Sequence, residues 1–93
     1  EYNLAMTQNE LDYKVKTAYY NLQLAKSRKT LLMRLDTLYS TFLKAANLRL
    51  QTGESNVLEK ATAESQLFEI RTLMTQNEAD ILIYQTQLQT LLN

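Results

Sequence analysis

The chain contains no proline, cysteine, histidine or tryptophan, and only one glycine, Gly53. Without Pro or Gly punctuation there is little to form the many turns of a mixed or all-β domain. Without cysteine there is no disulfide framework, and that absence permits many compartments. Lacking His and Cys, the chain also lacks the usual nucleophile–base pairs and zinc ligand sets. A phosphate-cradling loop needs more than one glycine. Met6, Met33 and Met74 are soft enough for Cu(I) in principle, but they are scattered along the chain and read as core filler. The expectation is a chain that is not an enzyme, with no cofactor and no metal site.

Long hydrophobic runs are missing too. The longest uncharged stretch, 81–93, is rich in Gln and Thr. It is too short to span a bilayer, which needs about 20 apolar residues. Net charge is zero, with ten basic and ten acidic residues. The two halves differ in sign, however. Residues 1–50 hold eight basic and four acidic side chains, and residues 51–93 hold two basic and six acidic. Opposite signs favour packing the halves together, although exposed pairs contribute only tenths of a kcal/mol each. Lys26, Arg28, Lys29 and Arg34 fall on different helical faces and read as solvated surface rather than a nucleic-acid site.

What remains is rich in Leu, Ala, Gln, Thr, Lys and Glu, mostly good or acceptable helix formers. The spacing predicts helix 1 over about 2–51, a turn over about 52–56, and helix 2 over about 57–92. At 1.5 Å per residue these helices are on the order of 70 and 50 Å long. Arg49 suits the negative end of helix 1, and Gly53 suits a left-handed residue just past it. Asn56 can cap helix 2, with Glu59 three residues on in capping-box spacing. A connection this short makes the helices antiparallel neighbours.

Apolar steps of three, four and seven residues run along both helices. Leu4, Leu11, Val15, Ala18, Leu22, Ala25, Leu32, Tyr39, Leu43, Ala46 and Leu50 form one seam. Ala63, Leu67, Ile70, Met74, Ile81, Tyr84, Leu88 and Leu91 form the other, with Asn77 interrupting it. Helix 1 also carries a second stripe, Tyr20, Leu24, Leu31, Leu35, Leu38 and Phe42, that one partner helix cannot cover. The fold class is therefore all-α, a single long antiparallel coiled-coil hairpin. Its spare stripe is covered either by pairing into a four-helix bundle or by neighbours in a larger helical wall. Residues 6–10, Met-Thr-Gln-Asn-Glu, recur at 74–78, but two copies do not make a repeat architecture. Glu54, Glu59 and Glu64 near the turn read as helix-terminal and solvated charges.

The stretch from Arg49 through Gly53 to Glu59 resembles a signature of the TolC-type outer-membrane efflux protein family. That signature sets an Arg, an apolar residue and two variable positions before the Gly, then a polar step into an apolar-plus-acidic helix start. Ala61, Ala63, Gln66 and Leu67 resemble the family's second helix, and residues 15–22 resemble its valine, alanine, aromatic, leucine segment. The resemblance implies a fragment of the periplasmic α-barrel of a homotrimeric channel, joined by a periplasmic adaptor to an inner-membrane pump. It places Thr52, Gly53, Glu54, Ser55 and Asn56 at the adaptor-facing tip, and leaves open whether metal ions or drugs are exported. Glu54 departs from the family, which often has an apolar residue after the glycine, and implies more polar docking. Two other readings stand beside it. One is the coiled-coil hairpin of a periplasmic adaptor, which lipoyl-like β-domains would flank. The other is a cytoplasmic structural coiled-coil module.

Overall fold

The computed structural model describes residues 7–93 of the chain. It is an all-α hairpin of two helices, α1 (Gln8–Gln51) and α2 (Val57–Leu92), packed antiparallel. The molecule measures 70 × 18 × 15 Å, a rod one helix pair wide. The start of helix 1 expected near Tyr2, the seam residue Leu4 and Met6 lie outside the described residues.

Within the described residues α1 starts at a capping box. The Thr7 hydroxyl accepts from the Glu10 N–H at 3.1 Å, and the Glu10 carboxylate accepts from the Thr7 N–H at 2.8 Å. Two backbone donors that would have no helical partner are satisfied reciprocally. The repeated pentapeptide is used differently in its second copy. Around Thr75 the backbone is already committed to α2, so the Thr75 hydroxyl donates instead to the Arg71 carbonyl at 3.1 Å. Thr30, Thr37, Thr41 and Thr72 make the same bond to the carbonyl four residues earlier. Threonine, a mediocre helix former, thereby satisfies its hydroxyl within the helix.

The two heptad seams meet along the rod. Ala18, Leu22, Ala25, Leu32 and Ala46 of α1 and Ala63, Leu67 and Ile70 of α2 are the buried apolar residues of the seams among the described residues. Small alanines let the backbones approach, and Ala25 is 0% exposed. At the end away from the turn Leu11, Val15, Ile81, Tyr84, Leu88 and Leu91 are half-buried, as are Tyr39, Leu43 and Leu50 nearer the turn.

Asn77 does not interrupt the seam as the sequence suggested; it is part of it, at 2% exposure. Its amide nitrogen donates to the Ala25 carbonyl at 2.9 Å, and its amide oxygen accepts from the Arg28 guanidinium at 3.1 Å. Arg28 also pairs with Asp80 at 3.8 Å. The opposite charges of the two halves are thus used, but not in one direction only. Arg28–Asp80 and Arg49–Glu59 run from basic α1 to acidic α2, whereas Arg71 of α2 reaches back to Asp36 at 2.9 Å. All three pairs are partly exposed, so each contributes little energy and mainly fixes register.

A polar residue in an apolar seam selects one alignment at some cost in stability. Asn77→Leu should therefore raise the urea midpoint, because Arg28 is half-exposed and can hydrate once its partner is gone. Asn77→Ala should lower stability by about 1–2 kcal/mol, through the space it leaves and the bond it loses. Equal losses in both variants, followed by circular dichroism, would show that the hydrogen bond stabilises the hairpin outright.

Candidate docking tip

The turn is built on the carbonyl oxygen of Arg49. It accepts from the Glu54 N–H at 2.8 Å, the Ser55 N–H at 3.2 Å and the Thr52 hydroxyl at 3.1 Å. The Gly53 N–H donates to the Leu50 carbonyl at 3.2 Å. These nested bonds are the Schellman arrangement, which satisfies the last carbonyls of a helix and requires a left-handed residue just after it. Gly53 supplies that residue at φ +82°, the only positive φ among the described residues. An added Cβ there would meet nothing within 4 Å, so glycine is needed for its backbone conformation, not for space.

Helix α2 then starts at Asn56, whose side-chain oxygen accepts from the Glu59 N–H at 3.2 Å. Only half of the expected capping box forms. The Glu59 carboxylate turns away from the Asn56 backbone to accept from the Ser55 hydroxyl at 2.8 Å and to pair with Arg49. Glu59 is therefore not the simple solvated charge expected of it. The Ser55 hydroxyl first, and the Arg49 guanidinium after it, hold its carboxyl below the usual range. Arg49 closes the tip twice, through its carbonyl on α1 and its guanidinium on α2.

All five residues expected at the tip lie together there: Thr52 as the cap of α1, Gly53, Glu54 and Ser55 in the turn, and Asn56 as the cap of α2. Ser55 is half-buried and the other four are exposed. The Glu54 carboxylate has one long contact, 3.5 Å from the Thr52 hydroxyl, and otherwise faces outward. Sequence reasoning did not pick out Leu48, Val57 and Leu58, which stand 61–72% exposed just behind the turn. They fall outside the seams, and that break in pattern was the available signal. The tip is thus a polar cap with an apolar collar.

Concave regions also lie elsewhere on the rod. An open groove of about 850 Å³ lies between the helices at the end away from the turn, floored by Leu11, Ala18 and Leu91 and edged by Thr17, Asn21 and Thr86. A smaller one of about 300 Å³ lies beside Lys29, Asp36, Arg71 and Glu78. Among the described residues, no three His, Cys, Asp or Glu side chains group to hold a metal ion, and no helix is long and apolar enough to cross a membrane.

Gly53→Ala should cost about 1 kcal/mol from the left-handed backbone alone, lowering the thermal midpoint by roughly 4–8 °C, with Gly53→Asn costing less. Glu59 and Glu10, the latter held down by the Thr7 N–H and then its side chain, both have carboxyls lowered on folding. A lowered carboxyl stabilises the fold above the ordinary value of 4.5, and that contribution is lost as pH falls through the depressed value. The thermal midpoint should therefore hold near neutrality and fall in acid, and Glu59→Gln should flatten the acid limb. An acid limb unchanged in that variant would remove Glu59 from the account.

Comparison of the chain with protein-family models, with curated proteins and with solved structures gives no match.

Proposed function

We propose that the chain is a structural segment of the periplasmic α-barrel of an outer-membrane efflux channel of the TolC type, with its turn docking a periplasmic adaptor in a tripartite export pump. In this reading the hairpin does no chemistry and holds no cofactor. It sits in the periplasm as part of a homotrimeric parent, and reaches an inner-membrane pump only through the adaptor.

The observation that carries the reading is a rigidly capped polar turn at the end of a rod 70 Å long. A tip held by three donors on one carbonyl and by a side-chain bridge between both helices presents its outer groups in one geometry. Preorganisation of this kind lowers the ordering cost of binding. The apolar collar of Leu48, Val57 and Leu58 offers a partner surface to bury, and Glu54 offers a charge. The uncovered stripe along α1 is consistent with a helix that has neighbours beyond its own hairpin.

The test is adaptor co-purification with the parent protein. Gly53→Val should abolish it by misshaping the turn. Glu54→Ala, on an outward side chain, should alter adaptor retention with the thermal midpoint unchanged. Wild-type retention in both variants would refute docking at this tip.

A further inference from the structure

One long face of the hairpin has a pattern of its own. The pairs Arg28–Asp80 and Arg49–Glu59 lie on the same edge of the seam, three heptads apart on each helix. Between them α1 exposes Leu31, Leu38 and Phe42 with Leu35 half-buried, and the same register sets Leu35 level with Leu73 of α2. Beyond Arg28 the stripe continues to Leu24, level with the exposed Ile83. The large stripe residues, from Tyr20 to Phe42, are 45–65% exposed apart from Leu35. At 100° per residue, this second stripe lies about 110° around α1 from the seam that α2 fills. That separation is nearer the right-angled corner of a four-helix bundle than the opposite sides of a flat layer.

We propose that a second copy of this chain covers this face, related by a two-fold axis along the rod, so that the two turns lie together and four helices form one bundle. Charge decides the occupant and its orientation. On this face α1 presents Arg28 and Arg49, and α2 presents Asp80 and Glu59 at the same two levels. A two-fold along the rod sets α1 of one copy against α2 of the other and allows no slide, so each residue meets what lies at its own level. Arg28 then faces Asp80 of the second copy, Arg49 faces Glu59, and Leu35 faces Leu73. Each ion pair becomes an alternating quartet, and between the two quartets lie a leucine layer and a layer of Phe42 against Gln66. A two-fold across the rod would instead set α1 against α1 and arginine against arginine, and is disfavoured. A strip from Leu24 to Arg49, roughly 40 Å long on a rod 18 Å wide, offers on the order of 700 Å², close to the about 800 Å² per partner of stable interfaces. The proposal concerns the 93-residue chain by itself and does not rest on the channel reading.

Sedimentation equilibrium of the 93-residue chain should give a dimer. Leu31→Glu and Leu38→Glu, both at side chains the hairpin leaves exposed, should each weaken the dimer at least about a hundredfold by setting an unpaired charge in an apolar layer. Phe68→Glu, one turn before Arg71 on the opposite flank, should leave it intact. Orientation is read on the otherwise unaltered sequence, which has no cysteine to compete. A spin label on Thr52→Cys should lie within about 20 Å of its counterpart. A monomer at high concentration, a dimer broken by Phe68→Glu but not by the stripe variants, or labels separated by nearly the 70 Å length of the rod would each overturn the proposal.

Discussion

The reversal of the chain depends on how the last carbonyls of α1 are satisfied. A helix of 44 residues ends with oxygens that no later turn of the same helix can reach, and here the Arg49 carbonyl collects three donors within six residues. That closure requires a left-handed residue, which Gly53 provides. The connection of residues 52–56 is then short enough for α2 to run back along the first helix, where the apolar seams meet. The Arg49 guanidinium, pairing with Glu59, ties the start of the second helix to the end of the first.

Register is a separate matter from reversal. Two apolar seams with heptad spacing can slide by seven residues and still bury much the same surface. The bond from Asn77 to the Ala25 carbonyl, with Arg28 and Asp80 around it, singles out one alignment. Ala25 is wholly buried and has no side chain beyond Cβ, so the Asn77 amide can approach the backbone. At the end away from the turn the space between the helices opens into a groove.

A two-helix rod leaves much of its apolar surface in water. The leucines and aromatics on one flank of α1 and the collar behind the turn remain uncovered in the single chain. Both proposed roles, along the rod and at its tip, are roles in association. The chemistry of the two surfaces differs. The flank is a leucine strip bracketed by ion pairs, suited to another helix pair, whereas the tip is polar, rigid and capped, suited to a partner that reads shape and charge.

The two-helix architecture, the turn between residues 52 and 56, and the spare stripe were legible in the sequence. Helix spacing, a lone glycine and an N-capping asparagine act over a few residues, and local rules read them directly. The same rules leave the channel assignment as a resemblance carried by the turn residues. Other features depended on what the opposite helix brings near. Asn77 looked like a flaw in the seam until Ala25 and Arg28 lay beside it, and Glu59 looked like half of a capping box until Arg49 and Ser55 claimed its carboxylate. The repeated pentapeptide makes the same point, since one copy caps a helix and the other runs through one. A side chain's local options are set by its neighbours in sequence, but which option is taken depends on groups tens of residues away that only the closed hairpin brings into contact.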